Sequence, residues 1–129
     1  MSFAARILLC IAGLSLLCAT IAGAAASHAL VLDERGLRAF GSAVDFQFFH
    51  GLGIIGVALV AERARLRAPL LIAAWLFVAG TVLFCGSLYA TSLGAASGLT
   101  ALAPVGGIAF MAGWLLFAFA AIGANRGAS

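Results

Sequence analysis

Pro69–Thr91, PLLIAAWLFVAGTVLFCGSLYAT, runs without a single charged side chain. Wound as an α-helix it extends about 34 Å, enough to cross a hydrocarbon core of about 30 Å. Three further apolar runs lie around it, at about Ala5–Leu30, Ala43–Ala61 and Leu102–Ala124. Each is close to the ~20 residues a spanning helix needs. Helices satisfy their own backbone hydrogen bonds in lipid, and the alternation of a membrane β-barrel is absent. The expected fold is therefore all-α: an integral membrane four-helix bundle, with residues 1–129 forming a single transmembrane domain.

Composition points the same way. The chain is 65% hydrophobic and only 9% charged, against close to a quarter charged in a soluble domain. The net charge of +3 comes from short Arg clusters beside apolar runs. It is not the basic stripe of a nucleic-acid binder. All basic residues are Arg and none is Lys, which with the Ala and Gly load hints at a GC-rich bacterial genome.

The Arg positions suggest an orientation. Arg63, Arg65 and Arg67 crowd the link between the second and third runs, and Arg6 and Arg126 flank the chain's ends. An even number of spans puts all five on one side, and the positive-inside rule makes that side cytoplasmic. Both termini are then cytoplasmic, in a bacterial inner membrane. The stretches Val31–Ser42 and Ser92–Ala101 lie outside, the first as a linker or short interfacial helix. The first run also has features of a signal peptide: Arg6, an apolar centre and Ala-Ala-Ala-Ser. It continues apolar through Leu30, however, which favours a retained span.

The rare polar residues then gain a depth. His28 falls near the outer end of the first helix. Gln47 and His50 lie one to two turns below the entrance of the second, His50 roughly 10 Å deep. Ser87 and Tyr89 lie near the outer end of the third. Together with Asp45 they make a candidate polar cluster in the outer half of the bundle. Ionisable residues inside membranes are costly and often functional, but each of these has a structural alternative. Ser42-x-x-Asp45 matches a capping box, with Asp45 bonding the helix start. Gln47 and His50 share a face and can hydrogen-bond to neighbouring helices. His28 can be hydrated at the interface, and Tyr89 can be an interfacial anchor.

Several motifs carry no chemistry. Gly51-Leu-Gly-Ile-Ile-Gly56 spells a dinucleotide fingerprint, but no strand precedes it. Gly53, Gly56, Gly86, Gly106, Gly107 and Gly113 are expected instead to let helices approach closely. Cys10, Cys18 and Cys85 lie in apolar runs without a CxxC pair, so no disulfide framework or zinc site is indicated. No catalytic triad or carboxylate pair stands out, and no catalytic residue or metal ligand set is expected.

Four strings resemble a known family. Asp45-Phe-Gln-Phe-Phe-His50 is similar to its Y/F-Q-x-x-H second-helix motif. Gly80-Thr-Val-Leu-Phe-Cys-Gly-Ser-Leu-Tyr89 is similar to G-x-x-L-F-S-G-S-L-Y, with Cys85 replacing Ser. Ala103-Pro-Val-Gly-Gly-Ile-Ala-Phe-Met-Ala-Gly-Trp114 is similar to T-P-x-G-G-x-x-F-x-x-G-W, with Ala103 replacing Thr. Gly23-Ala-Ala-Ala-Ser-His28-Ala-Leu matches a first-helix motif more loosely. The family is the YgdD-like small inner-membrane proteins, a domain of unknown function. The resemblance implies four membrane helices and supplies no activity, substrate or cofactor.

Three functions follow as alternatives. The first is a non-enzymatic accessory or helper module acting through helix–helix contacts, as a homo-oligomer or in a larger membrane complex. The second binds a small molecule, a metal or haem at the cluster around His50. Haem on His28 and His50 suffers from their unequal depths. The third is a small oligomeric transporter, although inverted repeats and broken helices are not evident. No cofactor and no nucleic-acid partner is expected; the lipid bilayer is.

Overall fold

The computed structural model describes residues 1–124, and the Ala124 side chain is not included. Arg126, one of the orientation residues, lies outside the described residues. The described residues are helical with no strand. Four helices are long and apolar enough to cross a membrane. They are α1 (Phe3–His28), α2 (Glu34–Ala61), α3 (Arg67–Ser92) and α4 (Leu102–Ala124).

Local chemistry sets the helix ends. The Ser2 hydroxyl caps α1 by accepting from the Ala5 amide at 3.2 Å. Asp33 caps α2 by accepting from the Gly36 amide at 2.7 Å. Pro69 and Pro104 each fall in the first turn of a helix, where a missing N–H costs nothing. Just past the end of α3, Gly94 turns the chain with a φ of +100°, which is open to glycine at little cost. The Ala95 amide reaches back to the Ala90 carbonyl at 2.9 Å and closes that end. A 3-10 turn, Ser97–Ala101, leads into α4.

Three expectations are corrected here. α2 begins at Glu34, not near Ala43, so Val31–Ser42 is not a linker with its own short helix. Most of it forms the first turns of a continuous helix, because no Pro interrupts Glu34–Ser42 and Asp33 supplies the cap. Ser42 and Asp45 therefore lie inside α2 and are not its capping box. α1 also stops at His28, slightly short of Leu30.

α1 packs on α2, α2 on α3, and α3 on α4. Leu8 of α1, Ile54 and Val57 of α2, and Phe77 and Cys85 of α3 are the large side chains sealed in the core. Leu14, Leu52, Ile72, Val82, Leu115 and Phe119 point outward, the inverse of a soluble bundle. The α3–α4 seam is the closest. A Cβ on Gly106 would strike the Phe84 backbone amide, and one on Gly113 would meet the Ala73 carbonyl at 3.2 Å. Gly80, on the α3 side, faces Phe110 and the Gly106 carbonyl. Gly53 sits against Phe77 and Trp114 at 3.3–3.4 Å, whereas Gly56, Gly86 and Gly107 have open space beside them. Small residues thus bring two backbones together where lipid offers no hydrophobic drive.

Within α3, Thr81–Cys85 forms one π-helical turn. Its extra residue advances the helix phase by about 100°. Phe77, before the turn, packs on His50 and Trp114, and Tyr89, after it, packs on Phe40 and bonds to Gln47.

At the end where α1 begins, Glu62 ties three segments together. It accepts from the Ser2 amide at 2.7 Å and from the Ser2 hydroxyl, and it pairs with Arg67 at 2.9 Å. The Ser2 hydroxyl and amide, helped by the Arg67 charge, hold its carboxyl below the usual carboxylate range.

Candidate functional site

The polar residues of the bundle interior form two separate knots. In the first, Gln47 on α2 bridges its neighbours on both sides. Its Nε2 donates to the Ser15 carbonyl at 2.9 Å and lies 3.2 Å from the Ser15 hydroxyl on α1. Its Oε1 accepts from the Tyr89 hydroxyl on α3 at 2.6 Å. Gln47 is only 7% exposed, so an apolar substitute would leave both partners orphaned in a low-dielectric setting.

The second knot joins α2 to α4. His50 Nδ1 lies 2.8 Å from the Phe46 carbonyl, which can only accept. Trp114 Nε1, which can only donate, lies 3.1 Å from His50 Nε2. Together they fix one state: a neutral imidazole with its proton on Nδ1. The ring stacks on Phe110 at 3.5 Å between centroids and 14° between planes. Phe77 packs edge-on against it, with centroids 5.3 Å apart. The imidazole therefore has no free lone pair. A metal or haem iron would have to displace Trp114 to reach Nε2. Among the described residues, no group of three or more His, Cys, Asp or Glu side chains could hold a metal ion.

Three members of the expected cluster stand apart from both knots. The Ser87 hydroxyl turns back to the Phe84 carbonyl of its own helix at 2.9 Å. His28 is exposed at the end of α1. Asp45 is exposed on the outer face of α2, nearly opposite the buried face that carries Gln47 and His50. Along α2, His50 lies about 24 Å from Glu34 and about 17 Å from Ala61.

Sequence reasoning missed Ser15 and the His50–Trp114 bond. Ser15 sits unremarked in an apolar run. Trp114 carried a usable signal, since an indole N–H within an apolar run generally finds an acceptor. His50 is the polar acceptor that α2 places beside it.

A cavity of about 270 Å³ opens beside the first knot, between α1 and α3, lined by Ile11, Ser15, Gln47, Cys85 and Tyr89 among others. On the far side of the Gln47–Tyr89 bridge a second space, of about 350 Å³, includes Cys18, Ala22 and Phe40.

Residues 22–107 match the profile of a family described as protein of unknown function (DUF423). That match covers both knots' α2 and α3 residues. The chain belongs to the DUF423 family. Among its relatives, the UPF0382 membrane protein YwdK of Bacillus subtilis is 32% identical over 91% of this chain and 97% of its own length. A UPF0382 membrane protein of Haemophilus influenzae is 35% identical over 75% of this chain and 78% of its own. The UPF0382 inner membrane protein YgdD of Escherichia coli is 37% identical over 64% of this chain and 63% of its own. No solved structure matches. Four spans and these relatives make this DUF423 chain a multi-pass inner-membrane protein.

Proposed function

We propose that the protein is a non-enzymatic accessory module that binds another integral membrane protein through the outward face of α2. One observation carries this reading. The buried Gln47 and His50 are satisfied inside the chain, whereas the Asp45 carboxyl is exposed and has no partner among the described residues. Asp45 lies about 24 Å along the helix from Ala61, inside a hydrocarbon core of about 30 Å. A carboxyl facing lipid there is costly, and a hydrogen-bond donor on a partner helix removes the cost. Phe49 and Leu52 extend the same exposed face.

The reading includes an orientation with both termini in the cytoplasm. It is supported by Arg63, Arg65 and Arg67 at the Glu62 end, while Asp33 and Glu34 offset Arg35 and Arg38 at the other.

The test is photo-crosslinking in living cells, with the reactive side chain at Leu52 or, on α4, at Leu115. A discrete adduct from Leu52 that disappears with Asp45→Ala and is absent from Leu115 is the expected result. A chain that gives no adduct at Leu52 and purifies in mild detergent without partner or oligomer overturns the reading.

A second reading rests on the cavity beside Gln47 and Tyr89, which suits a small apolar molecule with one hydrogen-bonding group. Its mark would be a ligand that copurifies with the protein and is lost in Gln47→Leu.

A further inference from the structure

At the end of the bundle opposite Glu62, a cup of about 670 Å³ lies between the start of α2 and the end of α3. Asp33 and Arg35 line it from one side; Thr91, Ser92, Ser97 and Thr100 line it from the other. Its two charged side chains set it apart from a surface dent.

Arg35 and Asp33 share the cup, yet they do not pair with each other. Among the described residues, the ion pairs are those of Glu62 and of Arg38 with Glu34. The Ser92 hydroxyl oxygen is shielded from solvent, so it does not open into the cup. The other hydroxyls whose bonds are made, those of Thr91 and Thr100, turn to local carbonyls at 2.8 and 2.6 Å. They leave the guanidinium and the carboxylate as the groups free to recognise charge. Asp33 keeps its capping bond to the Gly36 amide, which uses one of its oxygens.

The geometry points to a binding site for a zwitterionic phosphodiester: a phosphate held by Arg35 and a primary ammonium held by Asp33, as in an aminoethyl phosphodiester headgroup. The planar guanidinium fork matches phosphate oxygens, and the positive end of α2 adds to the attraction. The Asp33 carboxylate opposes a dianionic phosphomonoester and favours a ligand carrying its own cation. The cup sits where the spanning helices end, at the level of lipid headgroups. The same chemistry occurs in a soluble glycerophosphodiester. The site does not depend on the α2 outer face, because Arg35 and Asp45 lie at different heights.

The experiment is thermal unfolding of the full chain in mild detergent, titrated with short-chain phosphatidylethanolamine, phosphatidylglycerol or glycerophosphoethanolamine. Phosphatidylethanolamine is expected to raise the midpoint more than phosphatidylglycerol. Arg35→Gln should weaken that protection about tenfold, the loss of one charge-assisted contact. Asp33→Asn keeps the helix cap and should erase the preference between the two lipids. Arg38→Gln removes the same charge outside the cup and should bind as the unaltered protein does. Protection by glycerophosphoethanolamine as well assigns the site to a soluble ligand, and protection by the lipid alone assigns it to the membrane. Equal loss in Arg38→Gln and Arg35→Gln, equal protection by both lipids, or no protection at all overturns the site.

Discussion

Trp114 on α4 donates its indole N–H to His50 on α2 across 3.1 Å, and the Phe46 carbonyl occupies the other ring nitrogen. A histidine so placed is a neutral structural connector. His50→Leu leaves the Trp114 N–H and a cavity unpaired, and should lower stability by about 1–2 kcal/mol. Trp114→Phe removes the same bond, so the two losses should not add. Thermal unfolding in detergent of the two single variants and the double variant checks this. Strict additivity would sink the connector role.

Gln47 and Tyr89 offer a parallel case with a smaller expected effect. Tyr89→Phe removes one of the bonds made by Gln47 and should cost about 1 kcal/mol. Gln47→Leu orphans partners on α1 and α3 together and should cost more. If Tyr89→Phe were the worse of the two, the knot would not be organised around Gln47.

The α3–α4 seam separates two adjacent glycines. Gly106→Ala pushes a methyl group into the Phe84 backbone and should cost about 1–3 kcal/mol. Gly107→Ala meets open space and should leave stability unchanged or raise it by up to about 1 kcal/mol through helix propensity. Melting curves of the two variants, measured side by side, decide the matter.

Glu62 should govern the acid limb of stability. Its carboxyl is held below its ordinary value near 4.5 by the Ser2 bonds. The folded state therefore binds this proton more weakly than the unfolded chain does. The stabilisation is complete above the ordinary carboxylate value and is lost as pH falls through the lowered one. Glu62→Gln should flatten the acid decline seen in the unaltered protein. A decline of equal steepness in both would place the titrating group elsewhere.

Orientation can be read with thiol reagents that do not cross membranes. A cysteine at Ala64, in the Arg63–Arg67 loop, should be labelled only after cells are opened. One at Ala95 should be labelled in cells whose outer barrier alone is breached. The reverse pattern would invert the bundle.

Much of the fold was legible along the chain. Long runs such as Pro69–Thr91 require helices because lipid cannot satisfy a backbone, and a run's length is visible without any tertiary contact. The start of α2 was not legible. Glu34, Arg35 and Arg38 read as a linker between apolar runs, yet helix formation needs only a cap and no Pro, so charged turns extend the helix beyond the apolar run.

By itself the sequence determined four membrane helices, the membership of its motifs in one family, and the scarcity of groups able to do chemistry. These depend on composition and local spacing. Only the tertiary structure decided which of the rare polar groups meet. It turned Gln47 and His50 inward to Ser15, Tyr89 and Trp114, left Asp45 facing outward, and kept Ser87 on its own carbonyl. The physical reason is rotational. Each residue turns a helix by about 100°, and one π turn adds another such step. Which side chains face each other is therefore set by how the helices pack, at contacts such as Gly106 against Phe84.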